Sequence, residues 1–398
     1  MREERGRPRR RRPGAALSAP AAVAALSLAA TACGQSGGAD GGAEEAADTA
    51  AKVDGALAAT YDGGVYVIDG TTLEVVEDVP LDGFNRLNPA GDGRHVLVST
   101  SSGFRVLDAA GAELTGAVFE ASEPGHVVRH AGKTVLFADG TGEVTVFDPG
   151  ELGEGLPEAE TSTTEHPHHG VAVALEDGGL ATTMGNEEER TGVRILGAGG
   201  EETARNGKCP GVHGEATARG GALLFGCEDG ALVYSDGGFA KIGVPDDYGR
   251  IGNQAGHKDS RYVLGDYKTD PETELERPER VSILDTAEHT LELVDLGTSY
   301  SFRSLGRGPD GEALVLGTDG AIHVIDPASA EVTDSFPVLG EWREPLEWQE
   351  PRPTLFVRGG TAYVTDPGEK RLYAVDLGSG KVRKEAALPE AANELTGI

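Results

Sequence analysis

Residues 65–69 read VYVID, and the phrase returns along the chain as FRVLD ending at Asp108, VTVFD at Asp148, VSILD at Asp285, IHVID at Asp326 and LYAVD at Asp376. Two weaker copies are VRILG, ending at Gly197, and LVYSD, ending at Asp236. Period-2 alternation that runs into Asp, Gly or Pro marks a half-buried antiparallel strand entering a turn. The copies recur about every 44 residues, and a period in the forties with four strands per unit is the signature of a β-propeller. Between copies lie hairpin centres such as 88–99 (NPAGDGRHVLVS), 129–139 (RHAGKTVLFAD), 218–230 (ARGGALLFGCEDG) and 308–320 (GPDGEALVLGTDG). Glycine supplies their positive φ. The expected fold is all-β: a propeller over 55–398, with eight blades from eight markers, or seven if a weak copy is not a blade. The chain enters mid-unit, so residues 395–398 are expected to close the ring by supplying an inner strand to the blade of Val65–Asp69.

Composition agrees. Gly is 59 of 398 residues and aromatics are 5%, which favours tight turns over a helical bundle. Acidic residues outnumber basic ones 66 to 35, for a net charge of −31. That excludes a general nucleic-acid binder, which needs a basic footprint. Three stretches read as loops: 149–165, 268–280 and 340–353.

The positive charge gathers at one end. Residues 1–12 hold seven Arg, and 13–32 carry no charge and are rich in Ala. Ala30-Thr31-Ala32 then precedes Cys33. A basic segment, an apolar segment and a small-residue site make a secretory signal over 1–33. Cys33 is a candidate lipidation site, although Ala30 stands where Leu is usual; plain cleavage is the alternative. Residues 34–54 are mostly Gly, Ala and acid, the composition of a flexible tether. The protein is therefore expected outside the cytoplasm, held to the outer face of the membrane only by lipid.

Among ten His, four keep step with the repeat: His126, His169, His213 and His257, which stand 43, 44 and 44 residues apart. Each sits at the entrance of a unit's first strand, the strand that lines a propeller's channel. Neutral imidazoles converging from neighbouring blades suit Zn²⁺. The bland alternative is polar channel lining. Glu215 and Asp259 follow His213 and His257 by two, on the same strand face, and His166 and His168 share the loop of His169. These four are further candidates for the shell. His95, His130, His289 and His323 are read as structural or exposed. Cys209 and Cys227 are expected to form a disulfide in an oxidising compartment; a mixed Cys/His zinc site is the rival reading.

The phrases PGHVVRHAGKTVLF, HPHHGVAV, KCPGVHGEA, FGCEDGALVYSDGG and GHKDSRYVLGDY resemble those of the AztD-type bacterial zinc metallochaperones, over roughly residues 55–395. The resemblance implies a non-enzymatic, extracytoplasmic propeller. Zinc would be held by His126, His169, His213 and His257 and passed to the zinc-binding protein of an ABC importer. It also implies a Cys209–Cys227 bond. The chain departs from the family in one place: residues 34–52 contain no His, so the resemblance lends no support to a second metal-capture site there. Other readings are a propeller hydrolase or lactonase with a channel metal and Glu215 as base, and a metal-free interaction scaffold. A monomer is expected.

Overall fold

The computed structural model describes residues 53–398; the signal segment with Cys33 and tether residues 34–52 lie outside the described residues. Eight antiparallel sheets, each of four main strands, stand in a ring as blades 1 to 8. Their inner strands are Leu395–Gly397 in blade 1, then Arg86–Pro89, Pro124–His130, Ala172–Ala174, His213–Thr217, Gln254–Ala255, Tyr300–Arg307 and Leu355–Arg358 in blades 2 to 8. Each marker phrase is the third strand of its blade, as in Gly64–Ile68, Gly103–Asp108 and Ala321–Asp326. In the six strong copies the final Asp caps the turn that follows. Asp69 Oδ1 accepts from the backbone of Thr71 and Thr72 at 2.8 and 2.7 Å, and Asp376 Oδ1 from Ser379 at 2.9 Å. A short carboxylate that binds its own backbone two or three residues on is what Asp offers a turn.

Burial follows radius. In blade 7 the second strand, Ala313–Gly317, is buried throughout, while the outer strand Glu331–Pro337 is exposed at six of seven positions. The middle strands read as near-continuous apolar runs because adjacent blades cover both faces. The outer strand of blade 8, Lys381–Ala387, carries Lys381, Arg383, Lys384 and Glu385, charges that discourage pairing at an open edge. The stretch 149–165 is more than a loop. It holds a short 3₁₀ helix, Pro149–Glu154, and the outer strand of blade 3, Ala159–Thr163. The strand escaped sequence reading because all five of its residues are exposed and none is a large apolar one.

The ring closes through the C-terminal strand. Leu395, Thr396 and Gly397 pair with Ala59, Ala58 and Leu57 in blade 1, so the tail is the inner strand of the blade that contains VYVID. Val53 is 6% exposed, and its N–H donates to the Ala110 carbonyl at 2.8 Å. Glu394 locks the joint. Its carboxylate accepts from Arg86 Nε at 2.8 Å, the Leu87 amide at 2.9 Å and Arg303 at 3.1 Å, tying blades 1, 2 and 7 together. The side chains of Glu394 and Arg303 are 9% and 5% exposed. Removing one member of a buried pair strands the other and costs about 3–5 kcal/mol. Glu394→Ala should therefore lower the melting temperature clearly, and removal of 395–398, which also opens an edge, should lower it further. Melting curves that match the intact protein would refute closure by this strand.

Candidate metal centre

All segments that enter an inner strand lie on one face of the ring, and there the inner strands of blades 3 and 5 are irregular. The pairing register of blade 3 shifts between Pro124 and Val127, and that of blade 5 between His213 and Glu215. A bulge re-aims the side chain it carries, and these two carry His126 and His213. Glycine makes room for them. Gly214 has φ +68°, and a Cβ there would stand 2.4 Å from Gln254 Oε1. A Cβ on Gly125 would run into the Asp139 carboxylate. In blade 4, His169 stands in the loop just before Ala172–Ala174.

The three imidazoles meet at the channel mouth. One ring nitrogen from each of His126, His169 and His213 lies within 4.8 Å of the other two, and the Nε2 atoms of His169 and His213 are 3.0 Å apart. Ring centroids are 5.0–5.5 Å apart. The far nitrogens of two rings are engaged. His169 Nδ1 donates to Asp139 Oδ2 at 2.5 Å, and His213 Nδ1 to the Gly252 carbonyl at 2.5 Å. Tying Nδ1 sets the tautomer and turns the Nε2 lone pair toward the centre, the arrangement that backs metal-bound histidines. Burial, with His213 and His169 adding repulsion, pulls His126 well below its ordinary value. Burial also brings His213 down to about 3, against the pull of the Gly252 carbonyl. Both rings are thus neutral at neutral pH, the form that can bind a metal. A tetrahedral zinc separates nitrogen ligands by roughly 3.4 Å; the His169–His213 pair stands close to that at 3.0 Å and the third nitrogen lies within 4.8 Å of both, so the donor set suits that ion.

A cleft of about 590 Å³ opens beside His169, rimmed by Glu187, Glu188, Glu189 and Glu228, with Arg190 in its wall. An acidic rim raises the local concentration of cations.

The structure does not bring His257 to this cluster. The preceding Gly256 abuts Thr217, the last residue of the strand that His213 begins. Four residues at about 3.3 Å each put His257 on the order of 13 Å away, toward the opposite face. There it accepts from the Asp259 amide at 3.3 Å and packs near Gly311. The 44-residue step is real in sequence, but blade 6 starts its inner strand earlier in the repeat, so Gly252 fills the place next to His213. Asp259 goes with His257, highly exposed and paired with Lys258 at 2.6 Å. His168 is buried at 2% and satisfied by the His166 carbonyl and Thr183 Oγ1 at 2.9 and 3.0 Å. His166 itself is exposed. Glu215 stays close, its Oε2 4.0 Å from His126 Nδ1. Burial pushes its carboxyl up to about 8, opposed by its own amide and Arg129. His95 and His323 are buried and pair with Asp92 and Asp319. His130 bonds the Ala174 carbonyl, and His289 occupies a turn at φ +57°.

Sequence reasoning missed Asp139, although ADG after a second strand recurs in kind as the GD of Asp266, which caps Gly252 and Asn253 at 2.6 and 3.0 Å. No sequence signal marks the Gly252 carbonyl. Cys209 and Cys227 are bonded, 4.9 Å apart at Cα and fully buried. The bridge ties the segment that leads into His213 to the end of the neighbouring strand.

No family model matches the chain. The zinc chaperone AztD of Citrobacter koseri is 25% identical over 289 residues, 69% of this chain. The chain spans 64% of the length of that curated relative. The solved structure of apo AztD from the same organism superposes with a TM-score of 0.74 at 22% identity, covering 86% of this chain and 96% of that one. The chain resembles AztD-type zinc chaperones in sequence and in fold. A dihydro-heme d1 dehydrogenase, NirN, shares the propeller more distantly, at TM-score 0.59 and 14% identity over 87% of this chain and 76% of its own.

Replacing His126, His169 or His213 by Ala should each abolish stoichiometric zinc retention against a mild chelator, whereas His257→Ala should leave it intact. Metal analysis after gel filtration reads the difference, and zinc loss in the His257 variant would restore a four-blade site. Thiol alkylation of the folded protein without reductant should modify neither Cys209 nor Cys227. Reduction should cost about 3 kcal/mol, the scale of an 18-residue closed loop.

Proposed function

We propose that this protein is an extracytoplasmic zinc metallochaperone, which binds Zn²⁺ through His126, His169 and His213 and passes it to the zinc-binding protein of an ABC importer. The observation that carries the reading is the convergence of three imidazoles, two of them held neutral by burial, at an open channel mouth with an acidic approach. The similarity to a protein named as a zinc chaperone supports it. Imidazoles without thiolates suit a carrier, because neutral nitrogen ligands exchange more readily than sulfur. Three protein ligands leave a fourth position for water or for a donor from the recipient. The buried Cys209–Cys227 bond agrees with an oxidising compartment. Anchoring through Cys33 belongs to the same proposal, as does action as a monomer.

Glu215 supports a second reading. Its carboxyl lies 4.0 Å from His126 Nδ1, and burial raises it to about 8, so at neutral pH it would hold a proton that it could give to a leaving group beside a bound metal, which would make the site hydrolytic. The carrier reading expects no turnover of ester or lactone substrates by the zinc form.

The deciding experiment mixes the zinc-loaded protein with the importer's zinc-binding protein and an excess of competing chelator. Direct handover delivers zinc to the recipient faster than the chelator-buffered metal does. Equal rates would refute the carrier role.

A further inference from the structure

The segment between the outer strand of blade 7 and the inner strand of blade 8, residues 338–354, is long, yet it is firmly held. Arg352 and Glu344, whose side chains are 1% and 4% exposed, form an ion pair at 2.7 Å. The Arg352 guanidinium also donates to the Glu347 carbonyl at 2.7 Å and lies over the Phe302 ring at 4.9 Å. Asn393 Nδ2 donates to the Gln349 carbonyl at 2.7 Å, and Trp342 Nε1 to Gly317 at 2.8 Å. Desolvating an ion pair is costly, and here the pair holds one loop shape. That shape turns Leu346 and Trp348 outward, 60% and 51% exposed. Trp348 meets Phe84, from the connection between blades 1 and 2, edge-on at 4.9 Å. An exposed Trp on a rigid support is a usual anchor of protein interfaces, and Leu346 beside it adds apolar area.

Position gives the knuckle a purpose. Like the segments that carry His169 and His213, it enters an inner strand, so it lies on the same face of the ring. Blade 8 stands four blades from blade 4, which places Leu346 and Trp348 across the channel mouth from the triad. A protein that draws metal directly from the triad covers this face. The exposed charge along the segment is mainly acidic, Glu341, Glu347 and Glu350 against Arg343, while Glu390 nearby is paired with Lys370 at 2.7 Å and Arg86 with Glu394 at 2.8 Å. We infer that Leu346, Trp348 and Phe84 form the docking surface for the zinc-exchange partner. That partner is a folded zinc-binding protein with an apolar recess ringed by Lys or Arg. The inference rests on the carrier reading and adds how the partner is recognised.

The test compares the full chain with its Leu346→Ser/Trp348→Ala variant, using the importer's zinc-binding protein as probe. Both substituted side chains are exposed and touch no ligand of the triad. Zinc stoichiometry and melting temperature should therefore be unchanged. Complex affinity, read by calorimetry, and transfer rate should each fall about tenfold or more, and the intact protein's affinity should weaken with added salt. Affinity and transfer equal to the intact protein would overturn the inference. If the intact protein binds but does not transfer, and the variant does not bind, docking stands and the carrier role falls. If the intact protein does not bind the probe, the inference is refuted with the carrier role. An intact protein that sediments as a dimer, and a variant that sediments as a monomer, would reassign the surface to self-association and overturn it.

Discussion

The buried carboxylate of Glu394 sits where the two ends of the ring meet, and the channel exists because that joint holds. A propeller blade has no stability of its own, since its faces are covered only by its neighbours and its inner edge only by the ring. Every blade depends on the next, so the eighth must find the first. The C-terminal strand does this by pairing with Leu57–Tyr61, and Glu394 extends the grip to Arg86 and Leu87 on one side and Arg303 on the other. The channel mouth, and the convergence of side chains at it, are consequences of closure.

At that mouth local irregularity is used for chemistry. A regular inner strand would point alternate side chains along the channel wall. The bulges at His126 and His213 turn them toward a common point, and the glycines beside them permit the close approach. Asp139 and the Gly252 carbonyl then fix two rings from behind. Each support comes from the blade next to the one whose histidine it holds: Asp139 from blade 3 for His169, Gly252 from blade 6 for His213. The site is thus a property of the ring, with no single blade containing it.

Electrostatics divides the mouth into parts. Near the triad, burial keeps imidazoles neutral, so cation binding meets little proton competition. Outside it, glutamates rim the cleft and draw cations in. Across the channel, a buried ion pair spends its charges internally and leaves an apolar knuckle in the open.

How much of this was legible in the chain itself follows from the range of each interaction. Strand alternation, Asp-capped turns and glycine at positive φ are local, and so the repeated phrase was enough for the propeller and its closure, while its two weak copies left the count at eight or seven until the eight sheets decided it. The Cys209–Cys227 bond was expected from the compartment, with a mixed Cys/His zinc site as its rival, and the buried bridge decides between them. Histidines 126, 169 and 213 stood out because their blades begin at nearly the same point of the repeat. His257 kept the spacing and missed the site, because a count of residues does not say where a strand starts. Loop length in blade 6 moved it to the other end of the channel, and a backbone carbonyl took its place. Asp139 had only the faint signal of an Asp after a second strand, and Gly252 and the knuckle at Trp348 had none, since what each touches lies on a neighbouring or opposite blade. The repeat was enough to determine that side chains at one blade height face one another; only the closed ring decided which side chains share that height.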